Sequence, residues 1–298
     1  VTSNLQYKTL ETKEMFTVNK AELNLNNQRI FVPEFRGSVG QNDINFSGKF
    51  NNFFSYLLSN KTLEGSATFT SKLFNANDFI EEGSTTEEAV EMTLVEVPGN
   101  VNLQLAVAID ELIYDDLTLK NLVGQIDVEN KVLKMNNVAT DLLGGRGSLD
   151  GAYTYDIEEP RAAFELAYTN IKISDLISKF EVIKAFAPLA DQVQAITKAK
   201  LSFSSLLNQN MSPKLENINL GGSLNLENLK IQSLATLQGI DKKLGTSHFN
   251  VSKLQDLLIH FKIEDGKLLV EPFNLDLDSS KLTLQGVSKI DGSIAYEG

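Results

Sequence analysis

Two short patterns recur along this chain, and each is a piece of β-sheet that cannot bury its own apolar face. In the first, an alternating strand runs straight into a helix start: Phe74 to Ile80, Ile171 to Ile177 and Leu229 to Ala235 align without gaps. In the second, two strands flank a tight polar turn and a following strand ends in Gly. From the apolar residue after each turn to that Gly, Ile30 to Gly48, Val132 to Gly151 and Leu268 to Gly286, the distances are 18, 19 and 18 residues. Repetition at this grain predicts units stabilised by their neighbours rather than by one central core. The expected fold is mostly β (α+β): an elongated, curved antiparallel β-sheet or groove of repeated strand modules, with a few amphipathic helices packed along one side or end. All 298 residues then form a single elongated repeat region, with sub-modules at about 15–90, 101–198 and 201–298.

The clearest strand runs from Val101 to Ile109. Val101, Leu103, Leu105, Val107 and Ile109 point one way, while Asn102, Gln104, Ala106 and Ala108 point the other, because successive side chains of a strand alternate between faces. Leu257, Ile259, Phe261 and Ile263 repeat the pattern, as do the runs 215–220, 224–231, 273–277 and 282–284. Such alternation belongs to antiparallel sheet with one buried face, since buried parallel strands read as continuous apolar runs. Hairpin turns are expected at Asn26-Asn27, at Glu129-Asn130 and at Asp265-Gly266, which tolerate the positive φ that two-residue loops need, so that successive strands form a meander. A long helix is expected from Ser174, its stripe formed by Leu176, Phe180, Ile183, Phe186, Leu189, Val193 and Ile196, with Pro188 kinking or dividing it. Shorter helices are expected near 77–82 and 232–244, a turn of helix around 252–256, and a loop over the acidic segment 81–91.

With 27 Lys and Arg against 39 Asp and Glu, the net charge is −12. That sign argues against nucleic acid and against electrostatic adhesion to an anionic membrane. Absence of Cys removes disulfides, thiolate metal sites and thiol nucleophiles together. No stretch reaches the roughly 18 apolar residues of a spanning helix. The first residues do not form a signal peptide, and the chain reads as a fragment of something longer.

Catalytic or metal constellations are hard to find. His248 and His260 have no motif partner, so each reads as a solvated or sheet-face side chain. Gly144 to Gly147 lacks the Lys-Ser/Thr of a phosphate-binding loop and leads into a strand, which makes it a turn or bulge. The run from Asp276 resembles the start of a calcium loop but has Lys281 and Val287 where Gly and Glu are required. No cofactor, metal or catalytic residue is expected.

What remains is the apolar face. More strands present Leu, Val, Ile and Phe on one side than the expected helices can cover. The cover is then a folded-over part of the same sheet, a partner protein or lipid chains. Burial at roughly 25 cal/mol per Å² does not distinguish a protein methyl from an acyl one.

The stretch from Ile109 through Leu117-Thr-Leu119, Gly124 and Val128-Glu-Asn-Lys-Val132 to Leu143-Gly-Gly-Arg-Gly147 and Gly151 resembles the C-terminal region of the AsmA family of Gram-negative envelope proteins. Met211-Ser-Pro-Lys-Leu215, Leu220-Gly-Gly222, Leu224-Asn-Leu226 and Leu229-Lys-Ile231 resemble it as well. So does the closing stretch from Phe261 through Glu264-Asp-Gly-Lys267 to Gly286. The likeness covers about residues 15–298 and rests on strand-and-Gly patterns rather than on an invariant motif. It implies a non-enzymatic periplasmic protein, anchored to the inner membrane by a segment outside this sequence. Such a protein assists outer-membrane biogenesis by letting phospholipid acyl chains slide along a β-groove.

The groove residues are then Val101, Leu103, Leu105, Val107 and Ile109, followed by Leu257, Ile259, Phe261 and Ile263. The stripe from Leu176 to Ile196 is a candidate plug or gate at one end. A scaffold binding other envelope proteins without carrying lipid is the alternative, and a glycan hydrolase comes third.

Overall fold

The computed structural model describes residues 5–7, 15–26, 28–79, 94–180, 183, 190–231, 256–277, 280–289 and 293–297. The expected helices at 232–244 and 252–255, the loop at 81–91, Asn27, His248, Phe186 and Leu189 lie outside the described residues.

Strands dominate. They are β1 (Leu5–Tyr7), β2 (Phe16–Leu25), β3 (Arg29–Val39), β4 (Asn42–Asn51), β5 (Leu63–Asn75), β6 (Val101–Tyr114), β7 (Leu117–Glu129) and β8 (Val132–Leu142). There follow β9 (Gly145–Thr154), β10 (Arg161–Lys172), β11 (Val193–Leu206), β12 (Asn219–Ile231), β13 (Leu257–Glu264), β14 (Lys267–Leu277), β15 (Ser280–Lys289) and β16 (Ile294–Glu297). Among the described residues two short helices accompany them, α1 (Phe53–Ser59) and α2 (Ile173–Lys179). The protein is therefore mostly β, built of repeated strand modules with few helices, as its alternating pattern predicts. Hydrogen-bonded neighbours follow chain order from β1 to β8 and from β11 to β16.

The chain divides into two compact units: Val1–Leu142 with Ser148–Ala163 and Leu206–Ser212, and Leu143–Gly147 with Phe164–Ser205 and Pro213–Gly298. In the first, β1 to β5 pair antiparallel, β5 and β6 pair in parallel, and β6 to β8 return to antiparallel pairing. The parallel pair departs from the expected meander. Strands running the same way need a crossover longer than a hairpin, and the 25 residues between Asn75 and Val101 provide it. In the second unit, β11 to β16 pair antiparallel in sequence.

Turns follow local chemistry. The β13–β14 hairpin turns on Asp265 and Gly266 (φ 50° and 66°), as expected, with Glu264 opposite Lys267. Leu143 and Gly144 (φ 50° and 75°) connect β8 to β9, so the Gly-rich stretch is a tight turn. The β7–β8 loop is Asn130-Lys131 (φ 52° and 65°) rather than Glu129-Asn130, because Glu129 stays in the ladder opposite Val132.

The recurring hairpin module has a structural counterpart. Gly48 stands opposite Val32 in one unit, and Gly286 stands opposite Val270 in the other. Directly beyond each pair the register slips, between Val32 and Phe35 and between Val270 and Phe273. Both slips contain a Pro, in Val32-Pro33-Glu34-Phe35 and Val270-Glu271-Pro272-Phe273. Pro has no ladder N–H to donate, so a bulge is where an interior strand accepts it. Two of the three copies of the hairpin module therefore share a Pro bulge, while the copy from Val132 to Gly151 has no Pro.

Helices are shorter than their periodicity suggests. α2 ends at Lys179, and Val193 and Ile196, expected on its continuation, lie in β11. Ala195, Thr197 and Ala199 are buried while Gln194, Lys198 and Lys200 are exposed. At Val193 and Ile196 this period of two outweighs the helical spacing. The module at Phe74–Ile80 leads from β5 into a 3₁₀ turn, Ala76–Phe79. Leu215–Asn217 is also a 3₁₀ turn instead of a strand. α1 stands where the sequence pattern predicts no helix. Its limits are set by Asn52 and Asn60, whose left-handed backbones (φ 61° and 51°) break the strand before it and the helix after it.

Candidate functional site

In the first unit, cross-strand register aligns apolar residues into rows on one face. Ile30, Phe50, Gly65, Leu103 and Val128 form one row across β3 to β7. Val32, Gly48, Ala67, Leu105 and Ile126 form the next, and Phe35, Phe46, Phe69 and Val107 a third. Directly opposite residues lie about 5 Å apart in a sheet, so each row is continuous. Glycines make room for the rings. A Cβ on Gly65 would sit 2.5 Å from the Lys49 carbonyl oxygen and 2.9 Å from the Phe50 ring, and one on Gly48 would sit 2.9 Å from Ala67 Cβ. Phe46 and Phe50 stack along this face with centroids 5.8 Å apart.

Coverage differs along the face. Val101, Val107, Ile109 and Leu122 are buried, and Val107, Ile109 and Leu122 form a cluster with Phe69, Phe74 and Leu105. Leu63, Phe46, Phe50, Phe69, Leu103 and Leu105 are only half-buried. On β5 and β6 the alternate residues Glu64, Ser66, Thr68, Asn102, Gln104 and Ala106 are exposed. This face is therefore apolar on one side of a sheet that is wet on the other, with large side chains incompletely shielded. The sequence-derived set Val101, Leu103, Leu105, Val107 and Ile109 lies together on it.

Leu257, Ile259, Phe261 and Ile263 share one face of the second unit, in two clusters. Leu257 joins Ala195, Leu226 and Leu229, and Ile173 and Ile177 of α2 pack onto that cluster with Ile183, Val193, Ile259, Phe273 and Leu275 around it. Ile263 joins Ile218 and Leu268, flanked by Phe203, Leu220, Phe261 and Val270. Of the helix stripe, Leu176 is buried, Phe180 is the half-buried C-cap and Ile196 is half-buried beside a bulge in β11. α2 lies over the face at Leu257, which makes Leu257 and Ile259 core beneath a helix.

The polar groups here are structural. Asp43 Oδ1 accepts hydrogen bonds from Lys72 N (2.7 Å), Leu73 N (2.9 Å) and Ser71 Oγ (3.0 Å), and Oδ2 accepts one from Asn45 (2.9 Å). Partial burial pushes its carboxyl up, but these donors outweigh burial and hold it below its ordinary value. Fully buried Asn42 donates to Val39 O and to Asp78 and accepts from Asn75 N at 2.6 Å, tying the β3–β4 turn to the end of β5. Glu34 lies between Lys20 and Arg36; its hydrogen bond from Lys20 is the main cause of a lowered carboxyl pKa. His260 is exposed on the polar side of β13. Among the described residues no cluster of His, Cys, Asp or Glu could hold a metal ion, and no helix is long and apolar enough to cross a membrane.

Fold and site together define a class: a mostly β protein whose sheet presents an incompletely covered apolar face. No protein-family model matches the chain, and no curated protein or solved structure is similar to it.

Proposed function

We propose that this protein handles acyl-chain lipids without catalysis, using the apolar face of β3 to β7 to shield hydrocarbon from water. The observation that carries the reading is the half-burial of Phe46, Phe50, Leu63, Phe69, Leu103 and Leu105 in continuous rows on one face. At roughly 25 cal/mol per Å², each half-covered Leu or Phe leaves on the order of 1 kcal/mol of burial unrealised. An acyl chain laid across several of them recovers that free energy while its head group stays solvated. The rows lack fixed polar partners, so contact is non-directional and favours sliding over tight capture.

The AsmA-like strand-and-Gly patterns extend the proposal to a periplasmic setting, inner-membrane anchorage by a segment outside this sequence, and a role in phospholipid traffic to the outer membrane. The decisive measurement is native mass spectrometry of protein purified from membranes, followed by incubation of stripped protein with vesicles holding a fluorescent phospholipid. Co-purified lipid and saturable uptake are expected; failure of both would sink the reading.

A second reading, a scaffold binding other envelope proteins, draws on α1, where Phe54, Leu57 and Leu58 are 40%, 60% and 82% exposed. Envelope proteins captured by intact α1 and lost with Leu57→Ser/Leu58→Ser, in the absence of any bound lipid, would favour it.

A further inference from the structure

The wet side of the same sheet carries a second feature. A concavity of about 860 Å³ opens at the end of β3 to β6, beside the β2–β3 turn, within the usual size range of small-ligand sites. Register builds its floor. Arg29, Asn51, Glu64 and Asn102 stand opposite one another across the four strands. Two residues further along, Phe31, Lys49, Ser66 and Gln104 form a parallel row. The β5–β6 parallel pairing places Glu64 beside Asn102 and Ser66 beside Gln104. Asn24, Leu25 and Asn26 also line the concavity, as do Ile30 and Gly65.

Two rows two residues apart and four strands wide span about 7 Å by about 14 Å, from the strand rise and spacing. Among its polar side chains neutral amides and a hydroxyl predominate, with two cations and one carboxylate. Among the described residues, the side chains of Asn51, Glu64, Ser66, Asn102 and Gln104 make no hydrogen bond or ion pair within the protein. On the adjoining strands the corresponding groups are spent on one another: Gln125 and Asn136 both donate to Asp127 at 2.7 Å. Phe31 is 41% exposed in the same floor, with Lys49 Nζ 5.8 Å from its ring centroid.

We propose that this floor is a binding site for a neutral, polyhydroxylated ligand, a short linear glycan lying across β3 to β6. Each sugar hydroxyl both donates and accepts, which a carboxamide matches with its own donor and acceptor. The C–H face of a pyranose packs on an aromatic ring such as Phe31. Mixed charge signs in one floor disfavour a dedicated anion site, where Glu64 would repel the ligand. Its two polar rows are on the opposite face from the lipid rows, with Ile30 and Gly65 bordering both.

Isothermal titration with maltotriose and chitotriose, with inositol hexakisphosphate as the anionic comparison, tests the assignment. Saturable binding of a neutral trisaccharide, insensitive to salt, is expected. Asn102→Ala with Gln104→Ala should weaken it about tenfold with the melting temperature unchanged, and Phe31→Ala should weaken it independently. Absence of binding by either trisaccharide, binding of the phosphorylated probe alone with loss in high salt, or trisaccharide binding untouched by both variants would each overturn the proposal.

Discussion

Leu105 of β6 stands in parallel register with Ala67 of β5, and this pairing joins the apolar rows of β3 to β5 to those of β6 to β8. Leu105 is half-buried in a cluster with Val107 and Ile109, while its neighbour Ala106 is exposed on the other face. Leu105→Asp should abolish phospholipid uptake from vesicles and leave the far-ultraviolet circular dichroism of a folded sheet. Ala106→Asp should keep both. Equal uptake by the two variants would move the lipid face elsewhere.

Gly65 is small because the backbone of β4 and the ring of Phe50 occupy the place of a side chain. Gly65→Ala sets a methyl 2.5 Å from Lys49 O, and overpacking of this kind costs about 1–3 kcal/mol. Denaturant unfolding should show a lower midpoint with the slope unchanged.

Asp43 makes the protein sensitive to acid. Its carboxyl is held below the ordinary value of 3.8 in the folded state, so its contribution is complete above 3.8 and is lost as pH falls through the lower folded value. Asp43→Asn should therefore be less stable than the parent at neutral pH, with the difference narrowing in acid. Chemical denaturation from about pH 2 to pH 7 checks this; a constant difference would mean that the carboxylate charge is irrelevant.

Surface and core substitutions should separate widely. Leu58 is 82% exposed on α1, whereas Ile171 is 1% exposed at the end of β10. Leu58→Ser should change stability by no more than about 0.5 kcal/mol. Ile171→Ala should cost about 2–5 kcal/mol, read as a drop in melting temperature.

Much of the apolar face is legible in the order of residues. The alternation Val101, Leu103, Leu105, Val107, Ile109 names its inward side chains because a strand has only two sides. Helix α2 is legible at its start but not at its end: Leu176, Phe180, Ile183 and Val193, Ile196 satisfy helical spacing, yet the last two belong to a strand whose competing signal is Ala195, Thr197, Ala199. The bulges at Pro33 and Pro272 are legible in principle, since Val-Pro-Glu-Phe and Val-Glu-Pro-Phe occupy equivalent places in the repeated hairpin. α1 carries a weaker signal, as Phe53 to Ser59 is too short and too evenly apolar to show a period.

Sequence alone determined which residues share a face and that a hairpin turns at Asp265-Gly266, since side-chain alternation and positive φ are local properties. Tertiary structure decided that β5 and β6 run parallel, that α2 covers Leu257 while Leu103 and Leu105 stay half-open, and that Ser66 meets Gln104 on the wet side. Those outcomes depend on which distant segments pair and at what register. Pairing is settled by the summed contacts of whole strands, which no local window of residues contains.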